Sequence, residues 1–190
     1  MPPKTRITRE AIISASLNII RESGIESLGA RAVAKNLGCS TQPIFDQFNS
    51  MEELKNAVML AAYTVYREKI SFALKSQEYP PYKASGLAYI HFARDERNLF
   101  RWLFMRDRSK ENIGDSFADD NREVIDIIKA KTGFTEETAL MFHLENWVVV
   151  HGIASMLATE YLSLNDDTID RILSDAFFGL LSRYKEMERK

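Results

Sequence analysis

Apolar residues recur three and four positions apart along nearly the whole chain. In the first such segment Ile12, Ile19 and Ile20 share a face with the small Ser16. In the last, Ile169, Ile172, Leu173, Ala176, Phe177, Leu180, Leu181 and Tyr184 keep the rhythm for about four turns. This is the period of helices buried along one stripe, and no polar–apolar alternation persists long enough to mark a sheet. The pattern predicts an all-α fold.

Polar residues punctuate the pattern. Thr8 can cap a first helix running to Ser23, with Ile7 and Ile12 at hydrophobic-staple offsets and Gly24 as the stop. A short second helix is expected over about Ala30 to Leu37. After the turn Gly38, Cys39, Ser40 comes a third, capped by Ser40, with Thr41, Gln42 and Pro43 in its first turn. Ser50 and Glu53 have capping-box spacing and open a long fourth helix to about Ser76, roughly 40 Å at the helical rise. Further helices are expected at about Pro81 to Arg94, Glu96 to Met105, Ser116 to Lys131, Glu136 to Tyr161 and Asp166 to Met187, with Arg106 to Asp115 as a mobile loop. The division this implies is a small three-helix unit over 1–50, joined through the long helix to a helical domain over 51–190.

Composition narrows the function. The 190 residues are 45% hydrophobic, yet no apolar run approaches the roughly 20 residues that cross a bilayer, and the first ten residues lack a signal-type apolar segment. A soluble cytoplasmic protein with no membrane partner is expected. Cys39 is the sole cysteine, and no His-x-x-x-His pair, metal-type carboxylate array, nucleophile motif or phosphate loop is present, so neither an enzyme nor a metal or cofactor is expected. The net charge of -2 means that any contact with nucleic acid must be local. Lys4, Arg6 and Arg9 make the N terminus the clearest basic segment.

Two short helices joined by a tight glycine turn, with a packing helix before them, are the parts of a helix-turn-helix. On spacing alone they equally describe three helices of an ordinary bundle. The residue chemistry is more specific. Gln42 and Gln47 carry amides able to pair with adenine, and Thr41 suits a phosphate or a thymine methyl. Arg31, Lys55, Lys4 and Arg6 are candidates for phosphate contacts, whereas Lys35 reads as solvated. Ile44 and Phe48 read as core residues that lock the third helix.

From Thr8 to Leu54 the chain resembles the DNA-binding domain of the tetracycline-repressor (TetR) family. The resemblance rests on Ile12, Ala15, Leu17, Ile19, Gly24, Val33, Ala34, Leu37, Gly38, Ser40, Phe45, Phe48 and the triplet Glu52, Glu53, Leu54. It implies that Thr41 to Gln47 is the recognition helix, which adds Pro43 and Phe45 to the DNA-facing set. Phe45 stands where the family usually has tyrosine, Met51 where it has lysine, and Gly29 where a threonine often caps the second helix. Asp46 adds a negative charge to a helix without Lys or Arg.

The second half resembles a subgroup of the family with a Trp-x-x-x-His-Gly signature, here Trp147, His151 and Gly152, together with Tyr89, Phe92, Ala93, Leu99, Phe100, Leu103 and Phe104. The resemblance implies a homodimer in which two late helices from each subunit form the interface. Trp147, His151, Ile169, Leu173, Phe177, Leu180, Leu181 and Tyr184 are the candidates, and Phe178 and Gly179 widen the apolar surface beyond one stripe. It also implies a palindromic double-stranded operator, repression as the usual mode, and a small-molecule effector of unknown identity. Tyr63, Tyr66, Trp102, Phe104, Met105, Met141 and Phe142 are candidate pocket residues, with core packing the plainer role for each. The competing readings are a helical enzyme or carrier with an aromatic cavity, and a ligand-binding adaptor that has lost strong DNA binding.

Overall fold

The computed structural model describes residues 7–107, 117 and 121–187. Lys4, Arg6, most of the expected loop after Arg106 and the start of the helix expected from Ser116 lie outside the described residues. Among the described residues the helices are, in order, α1 (Arg9–Ser23), α2 (Ala30–Leu37), α3 (Gln42–Gln47), α4 (Met51–Lys75), α5 (Pro81–Asp95), α6 (Arg97–Phe104), α7 (Arg122–Thr132), α8 (Glu136–Ala158) and α9 (Asp166–Met187), with a 3-10 turn at Ile25–Ser27. No strand occurs among the described residues, so the fold is all-helical.

Local chemistry explains most boundaries. Thr8 Oγ1 accepts the Ala11 N–H at 3.2 Å and so caps α1, while Gly24 ends it with φ 79°. Two expected caps are made differently. Ser40 does not cap α3; Thr41 occupies the cap position in helical conformation and makes no side-chain cap bond. Ser50 Oγ does accept the Glu53 N–H at 3.1 Å, but the Glu53 carboxylate turns to Asn49, whose backbone N–H and side-chain amide each donate to Oε2 at 2.8 Å. The reciprocal box is therefore replaced by a wider clasp. The eighth helix stops at Ala158 rather than Tyr161, because Glu160 adopts φ 56° and the Tyr161 N–H bonds back to the Met156 carbonyl at 3.0 Å.

One core runs from the N-terminal helices into the body: Ile12, Ile20, Ile44, Phe48, Leu54 and Val58 belong to the same buried cluster as Phe92, Leu99, Phe100 and Ile153. A second cluster joins α7, α8 and α9 through Ile125, Ile128, Phe134, Phe142 and Tyr184. The first turn of α6 also grips the end of α1. Arg21 Nε pairs with Glu96 Oε2 at 3.0 Å, and the Asn98 amide donates to the Arg21 carbonyl at 2.9 Å. The small N-terminal unit is thus held to the body at α6 as well as through α4.

Candidate functional site

The α2–α3 corner is set by Gly38, whose φ of 66° is left-handed and whose N–H, with that of Cys39, closes the last turn of α2. Ile44 and Phe48, 0% and 1% exposed, plug α3 into the core and leave Gln42, Phe45 and Asp46 facing solvent. Thr41, Pro43 and Gln47 are half-buried, Arg31 and Lys35 are exposed and Lys55 is half-buried. Arg31, Lys35 and Lys55 take part in no ion pair with another described residue, so their charges are available. The Gln42 amide nitrogen donates to Asp46 Oδ1 at 2.9 Å, one turn along the same helix. That contact orients the amide, leaving its oxygen as an acceptor beside a carboxylate that can itself accept from cytosine N4 or adenine N6.

Arg9 has a role that its place in the basic N-terminal segment conceals. Its guanidinium donates to the Gln47 carbonyl at 2.6 Å and to Glu53 Oε1 at 3.1 Å, and lies 3.9 Å from the centre of the Phe48 ring. One side chain therefore fastens α1, α3 and α4 together. The Asn49 backbone N–H and then Arg9 hold the Glu53 carboxyl below the usual carboxylate range. Arg9→Ala loses the bond to Gln47 and the ring contact, and should cost about 1–2 kcal/mol. A lowered thermal midpoint with unchanged helix content by circular dichroism checks this.

Met51 packs half-buried against the core at the start of α4. A lysine stem can keep that packing while its ammonium reaches outward. Met51→Lys is expected to raise affinity for any duplex and to steepen the slope of log K against log salt by about 0.9, one more neutralised phosphate. Anisotropy titrations at several salt concentrations read both.

A cavity of about 750 Å³ lies among α4, α5, α7, α8 and α9. Tyr66, Ile70 and Leu74 of α4 form one wall; Tyr82, Gly86 and Tyr89 of α5, Val124 of α7, His143, Asn146, Trp147 and Val150 of α8, and Leu173 and Phe177 of α9 complete it. Of the residues expected to line a pocket, Tyr66 does. Phe104 sits behind it in an aromatic cluster, 5.0 Å from Tyr66 and 5.3 Å from Tyr89 between ring centres, with Tyr63 edge-on to Phe104 at 6.0 Å. Trp102 packs half-buried on the main core, Phe142 is wholly inside the second core, and Met105 and Met141 are exposed.

The residues expected at a dimer face also divide. Trp147, Leu173 and Phe177 line the cavity, and Trp147 stacks on His151 at 4.7 Å. His151 Nδ1 lies 2.9 Å from the Tyr89 hydroxyl, and burial holds its imidazole below the usual histidine range. Ile169 and Tyr184 are buried within the protomer, with Leu180 and Leu181 half-buried against the second core. The exposed large apolar residues of α8 include Met141, Leu144 and Val148, the last 58% exposed, while α9 exposes Phe178 at 65%, which also borders the cavity, among charged residues such as Arg171 and Asp175. Sequence reasoning named Phe178, Gly179 and Gly152 there, took Met141 for a pocket residue, and singled out neither Leu144 nor Val148.

The cavity has a polar corner. His143 is 6% exposed, its Nδ1 lies 3.2 Å from the Tyr82 hydroxyl, and its Nε2 is buried without a hydrogen-bond partner among the described residues. Burial lowers the His143 pKa to about 4 and pushes that of Tyr82 up, so both groups are neutral at physiological pH. No group of three or more His, Cys, Asp or Glu side chains among the described residues is arranged to hold a metal. No helix there is long and apolar enough to cross a membrane.

A glycine-cornered pair of short helices, seated on a packing helix and followed by a strut into a helical body with a cavity, defines a helix-turn-helix protein of the two-domain regulator class. The family model for bacterial regulatory proteins of the tetR family matches residues 12–58, and that described as tetracyclin repressor-like, C-terminal domain, matches 82–177. The chain belongs to the TetR family of bacterial transcriptional regulators. Among solved structures it is similar to a protein with unknown function from Rhodococcus sp. RHA1 (17% identity, 96% of this chain and 98% of that one, TM-score 0.72). It is also similar to a TetR-like transcriptional regulator from the same organism (13%, 94% and 98%, 0.68). A third is a TetR variant from Acinetobacter baumannii AYE in complex with minocycline (20%, 96% and 97%, 0.54). No curated protein matches the sequence.

Proposed function

We propose that the chain is a homodimeric, sequence-specific DNA-binding regulator, a repressor that leaves a palindromic operator when a small molecule fills the cavity. The observation that carries this reading is the course of α4. Its first turns share the core of the helix-turn-helix through Leu54 and Val58, and its later turns supply the cavity wall through Tyr66, Ile70 and Leu74. A guest that prefers one tilt of α4 shifts the recognition helix with it, and the α6 grip on Arg21 gives the same motion a second point of purchase. The division at residue 50 falls just before α4, whose first turns still pack with the helix-turn-helix.

Dimerisation follows from surface that the protomer leaves uncovered. Met141, Leu144 and Val148 recur at helical spacing on α8, and a Cβ placed at Gly152 or Gly179 meets nothing within 4 Å. Glycines unconstrained inside the protomer, on an apolar face, suit close approach by a second copy. The Trp147, His151, Gly152 run supports placement in the Trp-x-x-x-His-Gly subgroup, with Trp147 and His151 serving the cavity side of that helix. In the DNA contact, Gln42 and Gln47 read bases, Thr41, Pro43 and Phe45 shape the approach, and Arg31, Lys55, Lys4 and Arg6 bind phosphates. The contrasting reading, an adaptor without strong DNA binding, draws on α3 itself, which has no basic residue and exposes Asp46 and Phe45.

Equilibrium sedimentation at micromolar concentration, combined with gel shift on the DNA upstream of the chain's own gene, tests the proposal. A dimer that retards this DNA at lower concentration than an unrelated duplex is expected. A monomer, or equal retardation of both DNAs, overturns it.

A further inference from the structure

We propose that the cavity is built for an uncharged, largely aromatic molecule bearing a hydrogen-bonding carbonyl or hydroxyl at one end, and that it rejects ionised relatives of the same shape. This deepens the effector-controlled reading, and its consequence at DNA rests on that reading.

The argument starts from where charge is and is not. Among the described residues, four with a formal charge border the cavity, Arg67, Glu68, Lys83 and Glu123, and these formal charges cancel. Arg67, Glu68 and Glu123 are exposed residues on the rim, and Lys83 is already paired with Asp170. None offers a buried counter-charge to a guest. A carboxylate or ammonium carried inside would give up its water without a partner of opposite sign.

Most of the interior is ring faces and alkyl groups, with the half-buried Ser71, Ser85 and Ser174 also among the lining residues. Tyr66 and Tyr89 meet edge to face at 5.8 Å, and Trp147 lies nearly parallel to His151, at 14°. Tyr82 and Phe177 close the far side with ring centres 5.6 Å apart. Walls of this kind favour flat aromatic guests through offset stacking and edge contacts. A volume of about 750 Å³ suits a guest of drug size.

Selectivity among neutral guests comes from the polar corner. Tyr82 and His143 Nδ1 share one hydrogen bond; with the hydroxyl as its donor, a neutral imidazole keeps its proton on Nε2, the atom that has no partner among the described residues. A buried donor without an acceptor is costly, and a carbonyl or hydroxyl oxygen from the guest relieves it. Asn146, also 6% exposed and held by its amide to the Phe142 carbonyl at 2.8 Å, lies one turn from His143 on the same cavity-lining side. It provides a second neutral polar group, again without charge.

The test uses three probes that share one ring system: 2-(hydroxymethyl)anthraquinone, anthraquinone-2-carboxylate and the corresponding trimethylammonium-methyl anthraquinone. Each is titrated into the full-length protein at pH 7.5 by calorimetry. The neutral probe is expected to bind at least about 10-fold more tightly than either ion. His143→Leu should weaken it by about 10-fold, while His143→Gln, which restores an N–H donor, should recover most of the loss. Equal or tighter binding of either ion, or no binding of any probe, overturns the inference. Because the His143 variants can be compromised in folding, the wild-type ranking of the three probes decides on its own. Gel shift on the upstream DNA in parallel separates the two levels. Neutral-probe binding that leaves the DNA complex unchanged supports the ligand class and counts against effector control. Intact DNA binding with no probe bound overturns the ligand class alone.

Discussion

A Val148→Glu, Phe178→Glu double variant is expected to be a folded monomer whose operator affinity is lower by two orders of magnitude or more. Both side chains are more than half exposed, Val148 beside the exposed apolar Met141 and Leu144 of α8, and Phe178 on α9. If two copies meet on this face, four carboxylates are brought into an apolar contact without partners, and each ion loses its water. Neither side chain is buried in the protomer's core, and Phe178 borders the cavity beside Phe177 from its exposed side, so helix content and melting cooperativity should persist. The loss at DNA arises because a twofold dimer makes the second half-site contact effectively intramolecular, an advantage of about 10²–10⁴. Sedimentation measures the assembly and fluorescence anisotropy the affinity. A dimer that survives both substitutions would put the interface elsewhere.

Thermal stability is expected to fall as pH drops from about 6.5 toward about 4, and His143 should account for a large part of the fall. Its folded pKa of about 4 lies below the ordinary histidine value of 6.5. Between the two the unfolded chain takes up a proton that the folded chain refuses. The stabilisation is complete above about 6.5 and is lost as pH falls through the folded value, amounting to about 3 kcal/mol. The cause is burial, and among the described residues the hydrogen-bond contact of the ring is with the Tyr82 hydroxyl. Carboxylates such as Glu53 and Asp166, whose pKa values are lowered by their hydrogen bonds, lose stability in a more acidic range. His143→Gln isolates the histidine contribution. Its melting temperature should change much less than the wild type's between pH 7.5 and 5, as read by differential scanning calorimetry.

The helices were legible because each buries one stripe and carries its own start and stop signals within a few residues. Thr8, Gly24, Gly38 and Gly133 act locally, and local chemistry survives in the sequence. The third helix was legible through Ile44 and Phe48 at a four-residue offset below an exposed Gln42, Phe45 and Asp46. Arg9 was not, because its partners Gln47 and Glu53 lie 38 and 44 residues away and nothing in its neighbourhood marks them.

The division of α8 and α9 into a cavity side and an outer side was also hidden. The eighth helix is apolar nearly all round, so periodicity cannot say which residues turn inward. Phe142, His143 and Asn146 do, and Met141, Leu144 and Val148 do not. The cavity draws on five helices, and its lining depends on their crossing, which no single segment encodes. That is why Tyr66 was found while Tyr82, Tyr89 and His143 were passed over as pocket residues.

The central claim, that this chain is a twofold DNA reader, is tested most directly by selecting binding sites from a random pool of duplex DNA with the purified protein. The account predicts enrichment of an inverted repeat whose half-sites are separated by about one helical turn or a multiple of it, bound by dimers. Gln42→Ala and Gln47→Ala should each relax the preference at a position within the half-site. Recovery of unenriched sequences, or of a single half-site bound by a monomer, would contradict it.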